Sequence, residues 1–142
     1  MLTPLALEKP WQFLTAVFLH GSASHLIYNL FALIMFGLIL EGLIGSRKFI
    51  FLYLVSGILA NVFSFWIDPN VNALGASGAI MDIMGVVAVL KPKMTVWTFN
   101  LPLPMFIVAI LWIAGSVLGI FGFGDQGIGH SSHLSGILIG IL

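Results

Sequence analysis

Two nearly uncharged apolar runs, residues 25–43 and 49–67, follow one another with only a short break at Gly45, Ser46, Arg47 and Lys48. Each matches the ~20 residues a helix needs to cross ~30 Å of hydrocarbon. The spacing therefore predicts a helix across, a tight turn at Gly45 to Lys48, and a helix back. Residues 76–90 form a third span, ended by Lys91, Pro92 and Lys93, and residues 105–120 a fourth. Residues 133–142 begin a fifth that covers about 15 Å, half a bilayer. The chain thus reads as cut short at its C-terminus.

The stretches between the spans are of three kinds. Residues 1–24 hold an apolar part too short to span; with Trp11 suited to a membrane–water boundary, they read as an interfacial loop with a short helix. Residues 94–104 contain Trp97, Asn100, Pro102 and Pro104, and two prolines so close disfavour a helix start before Pro104, so an irregular interfacial segment is expected. Residues 119–129 are glycine-rich around Asp125, a flexible loop by composition. No internal repeat or second domain is visible, so residues 1–142 form one domain.

Composition agrees. Hydrophobic residues make up 60% and charged residues 7%, with no net charge. A soluble domain carries roughly a quarter charged residues, so the fold class is an all-α, polytopic transmembrane bundle with the lipid bilayer as its main partner. The charge balance supports no nucleic acid partner. Without cysteine there is no disulfide or thiolate metal site, and redox compartment is undetermined. Residues 1–10 lack the basic start and apolar core of a cleavable signal.

Basic residues orient the bundle. Arg47, Lys48, Lys91 and Lys93 fall in two loops on one side, and the loops with Asp68 and Asp125 lie opposite; Lys9 is the exception, beside Glu8. The positive-inside rule makes the first side cytoplasmic. His25, Ser77 and His133 then all begin helices that enter from the non-cytoplasmic face, in what reads as a prokaryotic plasma membrane.

At that level the chain gathers its polar groups. Ser77 lies between Gly75-Ala76 and Gly78 where a loop becomes a helix: the glycines admit close approach, and the helix N-terminus offers N–H groups to negative charge. Histidine titrates in the range needed to take a serine proton. The bland alternative is a small packing residue at 77 and an interfacial cap at 133. His25 and Asn29 share a helix face at i, i+4, either as donors to an oxyanion or as an interhelical polar clasp. His20 shapes the first loop. His130 competes with His133 for the base role; His133 is favoured because Gly136 and Gly140 follow it as a small-xxx-small face that lets its helix approach that of Ser77. Four histidines without clustered carboxylates argue against a metal. Asp82 is expected inside the bundle without an assigned role, and Glu41 as a structural anchor.

Taken together, Trp11-Gln12, His20 with His25-x-x-x-Asn29, Gly75-Ala76-Ser77-Gly78, and His133-x-x-Gly136-x-x-x-Gly140 resemble the rhomboid intramembrane serine proteases, from about Trp11 onward. The resemblance implies Ser77 as nucleophile, His133 as general base, and the Ser77 N–H with His25 and Asn29 as oxyanion hole. It also implies transmembrane protein substrates, cleaved near their outer ends without a cofactor. The chain departs from the family pattern in several places. The family's first helix has no counterpart and its sixth is incomplete, so a truncated family core is expected. Gln12 stands where the family has arginine, Met81 where some relatives carry an aromatic ring on the base, and Asp82 where the residue is usually small. A catalytically silent member that binds transmembrane helices is the first alternative. A small transporter or channel subunit is the second; it predicts polar groups spread through the full depth rather than gathered at one level.

Overall fold

A single glycine separates the two longest helices. Ser22 caps α2 (Ala23–Ile44), its hydroxyl accepting a hydrogen bond from the His25 N–H at 3.1 Å. The helix stops at Gly45, whose φ of +82° carries little penalty without a Cβ. Helix α3 (Ser46–Ile67) starts at the next residue. The expected turn at Gly45 to Lys48 is therefore a one-residue break, with Arg47 and Lys48 in the first turn of α3, because one residue outside the right-handed region suffices to redirect the chain. Glu41 accepts the Gly45 N–H at 2.7 Å through its carbonyl and forms no ion pair with Arg47 or Lys48.

The computed structural model describes all residues except 68, 69, 71, 99 and 124–127. Asp68 and Asp125, the acidic half of the charge asymmetry, lie outside the described residues. The remaining long helices are α4 (Ser77–Leu90), α5 (Met105–Ile120) and α6 (His130–Ile141). Helix α4 is the centre: it packs against α2, α3, α5 and α6, and nearly all its side chains from Gly78 to Ala88 are buried. Helices α2 and α3 are the opposite case. Both are long and apolar enough to cross a membrane, yet only 22% and 28% of their most apolar windows is buried.

Helices α4 and α6 run parallel in backbone contact. A methyl group on Gly136 would collide with the carbonyl oxygen of Gly78, and one on Gly140 with that of Asp82. From the other side, a methyl on Gly78 would lie 2.6 Å from Ser132 Oγ and 2.7 Å from the Ala60 Cβ. Helix α6 begins three residues earlier than expected, with Gly129 as its cap and the His133 N–H bonded to the Gly129 carbonyl at 3.0 Å. His133 consequently sits one turn inside the helix. Gly119, shared between the expected fourth span and the glycine-rich stretch after it, lies within α5, where a methyl would strike the His130 ring.

Two further segments position the site. The first 20 residues contain α1 (Gln12–Thr15) between short 3-10 turns, and polar bonds dock this segment. Leu2 donates to the Ala73 carbonyl at 2.8 Å, Gln12 Oε1 accepts from the Thr3 N–H and Oγ1 at 2.9 Å each, and Asn61 Nδ2 donates to the Phe13 carbonyl at 2.8 Å. Residues expected to be irregular instead form an antiparallel hairpin, β1 (Thr95–Thr98) and β2 (Leu101–Pro104), turning through Asn100 at φ +60°. The helical-bundle expectation stands, and it is the irregular reading of residues 94–104 that needs that correction. Its physical reason is local: Thr95-Val96-Trp97-Thr98 is β-branched and aromatic, and asparagine tolerates the left-handed region.

Candidate active site

The starts of α2, α4 and α6 border one cavity of about 870 Å³, lined among others by His25, Asn29, Ser77, Met81 and His133. Ser77 is the first residue of α4, and the earliest backbone bond there is from the Ile80 N–H to the Ala76 carbonyl, at 3.0 Å. The N–H groups of Ser77, Gly78 and Ala79 thus have no partner within the helix and form a donor cluster beside the hydroxyl. Gly75 aims the loop: its N–H donates to the Ala16 carbonyl at 2.9 Å, and its φ is +120°. A methyl there would lie 2.8 Å from His25 Nε2 and 4.0 Å from Ser77 Oγ. The same small volume therefore admits the imidazole of His25 next to the serine, for both conformational and steric reasons.

His20 and His25 meet edge to face with centroids 5.0 Å apart, and the buried His20 Nε2 has no hydrogen-bond partner among the described residues. Asn29 is buried and spends one N–H on the His25 carbonyl of its own helix, at 2.8 Å. Among the described residues it makes no interhelical clasp, and its second N–H is left for a partner in the cavity.

His133 is 8% exposed and, among the described residues, is held between neighbouring rings rather than by a carboxylate. The Trp112 ring lies edge-on at 6.1 Å and the His130 ring at 6.5 Å, centroid to centroid. His130 itself packs against Gly119 of α5, and His133 is the histidine of this helix that lines the cavity. Gly136, one turn below, sets the separation from α4 by its contact with Gly78. Ser77 and His133 both line the common space, with no direct hydrogen bond between them. The arrangement offers a hydroxyl, an imidazole and several N–H donors around one volume, the components of acyl transfer.

Trp112 went unremarked in the sequence. A tryptophan in the middle of an apolar run, rather than at an interface, was the available signal. Trp97, Thr98 and Asn100 of the hairpin also reach this cavity. Asp82 faces away from it: 2% exposed, it is hydrogen-bonded to Ser56 of α3, with Oδ2 unpartnered among the described residues. No cluster of three or more metal-ligating side chains occurs among the described residues.

Comparison with known proteins gives a consistent picture. A family model described as Rhomboid domain matches residues 7–142. The chain is 34% identical to Rhomboid protease GluP of Bacillus subtilis (strain 168), over 92% of this chain and 24% of that protein. It is 32% identical to Rhomboid-like protein 11, chloroplastic, of Arabidopsis thaliana, over 93% of this chain and 50% of that one. Against Rhomboid protease GlpG of Haemophilus influenzae the identity is 26%, over 95% and 68%. The chain thus spans between a quarter and about two thirds of these relatives' lengths.

Proposed function

The chain belongs to the rhomboid family, and from that premise we propose that it is an intramembrane serine endopeptidase with Ser77 as nucleophile and His133 as general base. The observation that carries the reading is the cavity bordered by Ser77, His133, His25 and Asn29 together. His133 takes the proton of Ser77 as Oγ attacks a peptide carbonyl, then returns it to the leaving amine. Helix-start N–H groups at Ser77, with His25 and the second N–H of Asn29, bind the tetrahedral oxyanion; each such donor is worth roughly 3–4 kcal/mol in the transition state. No acid orients His133 in this scheme; Trp112 and the glycine seam do. Relatives named as rhomboid proteases support the activity class.

The membrane location rests on α2 and α3, whose outward faces carry large apolar side chains such as Ile27, Phe31, Ile34 and Phe51 in the open. Exposed stripes of that length match lipid, not water. Substrates are transmembrane proteins that enter laterally between α2 and α5, which make no extended packing contact with each other. The site opens toward the non-cytoplasmic side.

The deciding test is cleavage of a model transmembrane substrate by wild type, Ser77→Ala and His133→Ala, alongside fluorophosphonate labelling. Loss of both turnover and label in Ser77→Ala is expected; equal turnover by all three proteins would overturn the proposal.

A further inference from the structure

The hairpin has two edges of different chemistry. The Met105 N–H donates to the Met94 carbonyl at 2.8 Å, just below the strands, and the register pairs Thr95 with Pro104, Val96 with Leu103, Trp97 with Pro102 and Thr98 with Leu101. Hydrogen-bonded and non-hydrogen-bonded pairs alternate in an antiparallel ladder. Since 94 and 105 form a bonded pair, the bonded pairs in the strands are 96 with 103 and 98 with 101. The N–H and C=O groups of Thr95 and Trp97 therefore point outward from β1. On the far edge of β2 the outward positions are Pro102 and Pro104, which have no N–H to offer, a common way of blunting a strand edge.

The unblunted edge belongs to the strand that meets the cavity. Trp97 and Thr98 line it, together with Asn100, and neither strand residue of the β2 edge does. Among the described residues, nothing bonds the outward backbone groups of Thr95 and Trp97. In an apolar surrounding such groups need a partner. The cavity runs from Ser77 down α4 to Met84, about 10 Å by helix rise, a distance that about three extended residues cover.

We propose that the free edge of β1 receives the transmembrane substrate as an added strand, pairing with the substrate segment on the cytoplasmic side of the scissile bond. This rests on the Ser77 protease reading and extends it to a docking site. Strand addition draws affinity from main-chain bonds, so it fixes an unwound segment with little demand on its side chains. Thr95 and Trp97 would each exchange a bonded pair with alternate substrate residues.

Two measurements test it on the full chain in liposomes with a model transmembrane substrate. Thr95→Pro and Trp97→Pro remove only outward N–H groups, so the hairpin keeps its ladder. Each should cleave about fivefold less efficiently than the alanine variant at the same position, the loss expected for one backbone hydrogen bond. Ser77 labelling by a fluorophosphonate should be unchanged in all of them, and Pro102→Ala on the opposite edge should cleave normally. Equal cleavage by each proline and alanine pair would overturn the docking site while leaving the nucleophile assignment standing. Second, the chain lacks cysteine, so Thr98→Cys supplies a single cross-linking point against a substrate scanned with cysteine. Cross-links at every second substrate position support an added strand. A helical three-to-four periodicity, or cross-links only between two copies of this chain, would overturn it. Cleavage that persists in Ser77→Ala would instead sink the protease reading.

Discussion

Gly136→Ala adds one methyl group at the point where α6 touches α4, and its effect can be worked from the distances. The new Cβ would lie 3.0 Å from the Gly78 carbonyl carbon and 3.1 Å from the Met81 Cβ, and closer still to the Gly78 carbonyl oxygen, whereas ordinary contact begins at 3.4 Å. Neither backbone atom can swing aside, so the helices must separate by on the order of 1 Å to restore van der Waals spacing. His133 rides on the same helix one turn above and moves with it. A 1 Å misplacement of a reacting group costs about 10²-fold in rate, or roughly 2.7 kcal/mol of transition-state stabilisation. Overpacking of this kind also costs about 1–3 kcal/mol of stability. Steady-state cleavage of a model transmembrane substrate in liposomes should show kcat down about 10²-fold with KM nearly unchanged, and thermal unfolding in detergent should show a lower midpoint. Gly115→Ala is the matched control: also a helical glycine in an apolar segment, it has nothing within 4 Å of an added Cβ. Turnover by Gly136→Ala within twofold of wild type, in folded protein, would refute the argument that this seam sets the Ser77–His133 spacing.

Gly75→Ala should abolish turnover through both its φ of +120° and the 2.8 Å approach to His25 Nε2, a strain on the order of 1–3 kcal/mol; slow fluorophosphonate labelling of a folded protein is the readout. Trp112→Ala removes the ring against His133 and should lower kcat about three- to tenfold, as loss of an aromatic pair worth about 0.5–1.5 kcal/mol implies, with Trp112→Phe recovering most of it. Asp82→Asn keeps a partner for Ser56 and should leave the unfolding midpoint nearly unchanged, whereas Asp82→Ala strands a buried hydroxyl and should cost about 1–3 kcal/mol.

What could be read from residue order alone was whatever depends on repeated apolar spacing. Helices α2, α3, α4 and α5 start and stop within a few residues of expectation because caps, a glycine and the Lys91-Pro92-Lys93 stop act locally. The hairpin is hidden because prolines at 102 and 104 obstruct a helix and are equally compatible with a strand edge, and only the pairing partner decides which. The α6 start was missed because His130, Ser131 and Ser132 look like loop residues until they are seen packed against Gly119, Ser64 and Gly78. Ser77, His25, Asn29 and His133 all border the cavity, and the chemistry of their side chains is what singles them out in the sequence. Trp112, a neighbour supplied by a different helix, was invisible to local spacing. Asn29 shows the limit of such reading in another way: its position was legible, but the bond back to the His25 carbonyl depends on a rotamer.

The glycine seam between α4 and α6 has one more implication. Because main chain meets main chain there, rather than side chains interleaving, the two helices form a raft with little internal slack. A thinner or thicker bilayer should then tip the raft as a unit, changing how deep the reactive pair sits but not the gap within it. On the proposed protease reading, lipid length would thereby select where along a passing helix the cut falls, while the speed of bond breaking at a well-seated position stays nearly constant.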